Sequence, residues 1–246
     1  MKNGILYGIG VGPGDPELMT LKSVRLIEES DILFLPAKSR EKCMAYRIAA
    51  QAVGHLAEKE YLCHEFPMVP DKEIMDQAHD EITKLLAEEL VQGKTVAFLT
   101  IGDPSIYSTY SYIQERLVAD GYEVKTVSGV PSFCAVAARL GIPLGLWAEE
   151  IHILSGYHKL SEQKSPLNEV LKQEYKGTRI YMKSGRQLET LLHHLQVEMR
   201  CQEIQVYIIT NCGLENETMM IIGPDTEIDV SDYRYMTTVI VTDKRL

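Results

Sequence analysis

The chain has 246 residues, with 35 Asp and Glu against 25 Lys and Arg and a formal net charge of −10. That balance excludes a nucleic-acid binder working through a broad basic field and argues against attraction to an anionic membrane surface. The length suits one large α/β domain or two of about 120 residues, each with its own core.

Residues 1–7 run straight into a strand-like segment, without the basic, apolar and small-residue succession of a signal peptide. No apolar run approaches the ~20 residues that span a bilayer. The five cysteines (Cys43, Cys63, Cys134, Cys201, Cys212) include no CxxC pair, and neither His193-His194 nor the pair His152/His158 has zinc-site spacing. The expectation is a cytoplasmic protein with free thiols, no metal site, no membrane and no nucleic-acid partner.

In chain order, strand-length apolar runs occupy 4–9, 31–35, 95–100 and 122–127. The clearest helical pattern is 72–91, where Ile74, Ala78, Ile82, Leu85 and Leu86 share one face and Glu73, Asp80, Glu81 and Glu88 the other, with Gly93 as the stop. This alternation predicts a mostly parallel sheet with helices on both faces. Further strands are predicted at 150–154, 178–182, 204–210, 217–222 and 236–242, with one strong helix at about 186–197. The last two strands have no helix between them, so the second sheet reads as mixed. The chain therefore divides into domains 1–120 and 121–246, with the boundary near Asp120-Gly121 and no low-complexity linker.

Three corners share a design. The first, GIGVGPGDPELMTLK at 8–22, places four glycines in seven positions, removing Cβ atoms where a ligand or another backbone must come close. The second, TIGDPSIY at 100–107, offers Asp103 as a helix N-cap and Pro104 at the first helical position. The third, VSGVPSF at 127–133, opens a helix with Phe133, Val136, Ala137 and Leu140 inward. Each lies at the carboxyl end of a predicted strand, where open α/β sheets bind ligands. A capped Asp-Pro corner alone is commonly structural; three glycine-bearing corners on one sheet edge point to a binding crevice.

Familiar nucleotide fingerprints do not fit. A GxGxxG motif would need glycine at 13 or 15, where Pro13 and Asp15 stand, and the acidic residue expected near the end of the second strand is missing. Gly8-x-Gly10-x-Gly12 does fit the glycine spacing of common Rossmann-type methyltransferases. No Walker loop and no GxSxG elbow is present.

The set of GIGVGPGDPELMTLKS at 8–23, TIGDPSIYS at 100–108 and VSGVPSF at 127–133 resembles the tetrapyrrole methylases, S-adenosylmethionine enzymes of siroheme and cobalamin biosynthesis. The likeness continues through Ile180–Arg186, Asn211-Cys212-Gly213 and Thr237-Thr238-Val239, over nearly the whole chain. Within the family, Leu35–Lys38 leading to Met44–Ala49, and Met182–Arg186, are most similar to enzymes that methylate carbon 20 of precorrin-2 or cobalt-factor II.

The resemblance implies two αβα domains, the first with a mostly parallel sheet and the second mixed, with the active site in the cleft between them. It implies S-adenosyl-L-methionine as cofactor, held by Pro13, Ile101, Gly102, Asp103, Ile106, Ser132, Met182, Asn211, Cys212, Gly213 and Thr238. Relatives in siroheme synthesis often carry glycine where Ile101 stands and Thr-Ala where Pro131-Ser132 stands, so backbone contacts transfer more readily than side-chain ones. Asp103 is the candidate catalytic carboxylate, with helix capping and donor binding as its other roles. A tetrapyrrole substrate with eight carboxylates calls for cations. Lys38, Arg40, Lys42 and Arg47 follow the second strand, and Lys183 and Arg186 follow a later one; Asp15 and Tyr107 complete the candidate substrate residues. For each cation a solvated helix face is the alternative. Sister methylases acting at other ring positions and a non-catalytic tetrapyrrole carrier remain open as functions, and relatives are usually homodimers. The acidity is segregated: residues 57–90 hold ten acidic and three basic groups, and 203–229 hold six acidic and none basic. With a screening length of ~8 Å at physiological salt, a local basic cluster can act despite a distant negative face.

Overall fold

A computed structural model describes residues 4–67, 69, 71–155, 176–183, 188–227, 229 and 236–243. The chain divides into two units, Met1–Pro131 and Ser132–Leu246.

The first unit contains strands β1 (Ile5–Gly10), β2 (Ile32–Leu35), β3 (Glu60–Cys63), β4 (Thr95–Thr100) and β5 (Glu123–Val127). They form one sheet in the order β3-β2-β4-β1-β5, with every pairing parallel. Helices α1 (Leu21–Glu29), α2 (Met44–Ala52), α3 (Lys72–Val91) and α4 (Tyr110–Ala119) cover it. Side chains alternate across the sheet. Leu6, Phe34, Val96 and Phe98 therefore meet Ile82, Leu86 and Leu90 of α3 and Tyr110, Ile113 and Leu117 of α4 in one core. Leu33, Leu35, Ala97 and Leu99 are equally buried on the other face, where α1 and α2 pack on β4. A strand buried on both faces reads as an unbroken apolar run, which is why Ile32–Leu35 and Thr95–Thr100 were legible.

Two features depart from the predicted layout. Strand β3 is a four-residue edge strand with Glu60 and Tyr61 exposed, too short and too polar to show a period. The boundary near Asp120-Gly121 is corrected: β5 pairs with β1 along Ile5–Ile9 and belongs to the first unit, and the division falls after Pro131. Asp120-Gly121 is the turn that closes α4, with Gly121 at φ +85 and its N–H on Val118 O, so a helix C-terminus carries the punctuation of a linker.

The second unit holds α5 (Ser132–Leu140), β6 (Ile151–Ser155), β7 (Thr178–Met182), α6 (Leu188–Met199), β8 (Ile204–Thr210), β9 (Thr218–Ile222) and β10 (Thr237–Asp243) among the described residues. The sheet order is β6-β7-β10-β8-β9. β6 and β7 are parallel and the other pairs antiparallel, the mixed sheet predicted. Leu188, Leu191, Leu192 and Leu195 of α6 pack on Val206, Ile208, Val239 and Val241. Buried Arg179 of β7 donates to both carboxylate oxygens of Glu198 at 2.9 and 2.6 Å, tying that strand to α6.

Candidate functional site

In the first unit, parallel pairing brings the carboxyl ends of β1, β4 and β5 to one edge, with Gly10 beside Thr100 and Ile9 beside Val127. The three glycine corners converge there at backbone distance. A Cβ on Gly10 would lie 2.4 Å from the Gly102 carbonyl oxygen and 2.7 Å from Gly129 N; one on Gly129 would lie 2.1 Å from that same oxygen. Backbone hydrogen bonds knit the first two corners, Val11 N to Thr100 O at 2.9 Å and Gly102 N to Gly12 O at 2.7 Å.

Asp103 laces the second corner to itself and to the third. Its Oδ1 accepts from Ser105 N at 2.8 Å and Ser105 Oγ at 2.5 Å, and its Oδ2 accepts from Gly129 N at 3.1 Å. Both oxygens of this buried carboxylate are thus engaged, which suits holding loops more than collecting a proton. The helix predicted to start at Asp103 begins at Tyr110 instead. Residues 103–106 make a separate turn, with Ile106 N on Asp103 O, and the left-handed Tyr107 (φ 48) interrupts helical continuity. Of the other candidates on this edge, Pro13 is buried, Ile101 and Ile106 are half-buried, and Tyr107 is exposed. Asp15 caps the turn at Pro16–Leu18 by accepting from Glu17 N at 2.9 Å.

The basic segment follows β2 at the same edge, and its members differ. Lys38 pairs with Glu65 at 3.2 Å. The Arg40 guanidinium donates to Ala57 O at 3.2 Å and lies 5.6 and 5.3 Å from the rings of Tyr46 and Tyr61, so packing already occupies it. Lys42 and Arg47 are exposed and form no ion pair among the described residues.

In the second unit, β10 runs antiparallel to both neighbours, so its first residues meet the carboxyl ends of β7 and β8. Thr238 stands opposite Met182, and Thr237 opposite Thr210. Ser132 Oγ and Thr238 Oγ1 are 3.4 Å apart, and Thr210 and Thr237 share a buried hydroxyl contact at 2.9 Å. The Asn211-Cys212-Gly213 turn follows β8, with Asn211 and Gly213 at φ 55 and 80. The predicted residues Ser132, Met182, Asn211, Cys212, Gly213 and Thr238 therefore gather at one sheet end. The Asn211 side chain donates to Asn216 O at 3.4 Å within its own loop, leaving the turn's backbone as its offering. Lys183 is half-buried and left-handed (φ 56), and burial pushes its ammonium pKa down. Arg186 lies outside the described residues.

Sequence reasoning missed Ser105, which Asp-Pro-Ser spacing could have flagged as an Asx turn. It also missed Glu217, whose partners Gly213 and Arg139 come together only through the fold. Among the described residues no group of His, Cys, Asp and Glu could hold a metal ion, and no helix is long and apolar enough to cross a membrane.

The profile of the family described as Tetrapyrrole (Corrin/Porphyrin) Methylases matches residues 5–228. The probable cobalt-precorrin-2 C(20)-methyltransferase of Methanocaldococcus jannaschii is 40% identical over 150 residues, 61% of this chain. The cobalt-precorrin-2 C(20)-methyltransferase of Salmonella typhimurium is 32% identical over 154 residues, 62% of this chain. The chain spans 63% and 64% of the length of these two relatives. A solved structure of uroporphyrin-III C-methyl transferase from Thermus thermophilus, complexed with S-adenyl homocysteine, shares the fold with a TM-score of 0.65 at 21% identity, covering 98% of each chain.

Proposed function

The chain belongs to the tetrapyrrole (corrin/porphyrin) methylase family, and from that premise we propose that it transfers the methyl group of S-adenosyl-L-methionine to carbon 20 of precorrin-2 or its cobalt complex in corrin ring formation. The observation that carries this reading is the 40% identity to a protein named as a probable cobalt-precorrin-2 C(20)-methyltransferase. The donor is supported by the S-adenyl homocysteine bound in the Thermus thermophilus relative.

The first unit's edge fits such a donor. At Gly102 (φ +71) a Cβ would meet only Val130 O at 3.9 Å and Pro131 Cα at 4.0 Å, so the corner presents bare backbone to a flat adenosyl group. Pro13, Ile101, Gly102, Asp103 and Ile106 are the donor residues we assign in the first unit, and Ser132, Met182, Asn211, Cys212, Gly213 and Thr238 those in the second. When bound, S-adenosyl-L-methionine supplies an electrophilic methyl on a sulfonium sulfur, which the meso carbon takes with departure of the sulfide and loss of its own proton. In such a displacement the protein's task is orientation, an effect that reaches ~7–11 kcal/mol in well-aligned systems. Rigid, glycine-packed corners suit that task, and Asp103 serves it by fixing two of them together. Lys42, Arg47 and Lys38, with Lys183 and Arg186, are the cations assigned to the substrate's carboxylates, and Asp15 and Tyr107 complete the substrate residues assigned.

We assign the protein to the cytoplasm and to a homodimer. Sedimentation equilibrium tests the second point, and a monomer at micromolar concentration refutes it. Incubating the chain with methyl-labelled donor and precorrin-2, with and without cobalt, tests the activity: the reading expects one labelled methyl per macrocycle.

A further inference from the structure

Glu217, at the foot of β9, lies outside every donor and substrate candidate drawn from sequence. Its Oε2 accepts the Gly213 N–H at 2.7 Å, and the same carboxylate meets Arg139 Nε at 3.3 Å. Arg139 sits in α5, the helix that begins at Ser132. One carboxylate therefore fastens the 211–213 turn and reaches the helix that carries another donor candidate. The entrance of the turn is anchored by Asn211 N to Met236 O at 3.1 Å, and beyond it the backbone bonds of the loop run over short range, Leu214 N to Asn211 O at 2.9 Å and Glu217 N to Leu214 O at 3.0 Å. The Asn211 side chain is spent inside the loop, so what this turn offers a ligand is its backbone, and backbone shape depends on what holds it.

We propose that Glu217 is a positioning residue for the methyl donor, fixing the Asn211-Cys212-Gly213 turn in its left-handed shape and locking it to α5. The proposal rests on the donor assignment made above. Its carboxylate is only 23% exposed and its bond to Gly213 is short and charge-assisted, whereas Arg139 is 59% exposed. The Gly213 bond therefore carries most of the effect and the Arg139 pair little.

The test compares Glu217→Ala, Glu217→Gln and Arg139→Ala in the full chain. Readouts are S-adenosylhomocysteine affinity by calorimetry, KM for the tetrapyrrole and melting temperature. Losing a hydrogen bond to a charged group predicts that Glu217→Ala binds S-adenosylhomocysteine about tenfold more weakly, with tetrapyrrole KM unchanged. Gln keeps an acceptor for the Gly213 N–H, so Glu217→Gln should stay within about threefold of wild type. Arg139→Ala should stay within about twofold. Wild-type donor affinity in Glu217→Ala overturns the proposal. So does an equal loss toward both ligands that Gln fails to rescue, the mark of general destabilisation. A wild-type chain that binds no S-adenosylhomocysteine sinks the donor assignment and the proposal together, whereas wild-type binding matched by Glu217→Ala sinks the proposal alone.

Discussion

Replacing Gly129 with alanine tests whether the three corners act as one packed unit. The added Cβ would stand 2.1 Å from Gly102 O and 2.9 Å from Gly10 Cα, and both neighbours are backbone atoms that cannot swing aside. Relief requires the second and third corners to separate, which also stretches the 3.1 Å bond from Gly129 N to Asp103 Oδ2. Overpacking a tight site costs about 1–3 kcal/mol, and a weakened hydrogen bond to a charged group adds to it, so about 3 kcal/mol is expected. For a chain of this size that corresponds to a drop of about 6–12 °C in melting temperature. Gly54→Ala is the control: nothing lies within 4 Å of its Cβ position. That substitution should be neutral or stabilise by up to about 1 kcal/mol. Differential scanning calorimetry reads the melting, and titration with S-adenosylhomocysteine reads whether the separated corners still bind the donor. Gly129→Ala with the melting temperature and donor affinity of wild type would refute the convergence as a source of rigidity.

Other substitutions probe the charged groups. Lys42→Ala and Arg47→Ala should each raise the tetrapyrrole KM with donor affinity intact, read by steady-state kinetics. Arg40→Ala should chiefly lower the melting temperature, because its guanidinium is committed to Ala57 O and two tyrosine rings. His79 is 4% exposed and stacks on Tyr112, and burial, reinforced by the Arg116 guanidinium, holds its pKa down. The folded state then binds fewer protons than the unfolded chain below about pH 6.5, so stability falls as pH drops from 7 to 5. Urea titrations of His79→Leu should show a flatter fall over that window than wild type. Lys183 is held below its ordinary pKa by burial, a cost present at neutral pH and relieved only as pH rises toward the unfolded value. Lys183→Met should therefore melt higher than wild type at pH 7, and a lower melting point would contradict the burial reasoning.

What the sequence disclosed follows from where local signals coincide with the fold. The buried stretches Ile32–Leu35, Val96–Leu99 and Val239–Val241 announce themselves because burial on both faces leaves no polar position within them to blur the run. The glycine corners were legible as close approaches, since few other demands place four glycines within 8–14. The identity of their partners was not: that Gly10, Gly102 and Gly129 touch one another depends on strand order, which no local pattern states. Asp103 shows the same limit. Asp-Pro is a helix-start signal, yet Tyr107 takes a left-handed backbone and the carboxylate turns to Ser105 and Gly129. The Asp120-Gly121 pair misled for a related reason, because closing a helix and joining two domains use the same residues. Arg40 was grouped with its basic neighbours by charge, but the Tyr61 ring and the Ala57 carbonyl that occupy it come from well down the chain and meet it only through the fold.

The most direct measurement of the central claim locates the transferred methyl group. The chain is incubated with 13C-methyl S-adenosyl-L-methionine and precorrin-2, metal-free and with cobalt, and the product is analysed by mass spectrometry and 13C NMR. The account predicts a single added methyl at carbon 20 together with one equivalent of S-adenosylhomocysteine. Label at any other ring position, or a bound but unmethylated tetrapyrrole, would contradict it.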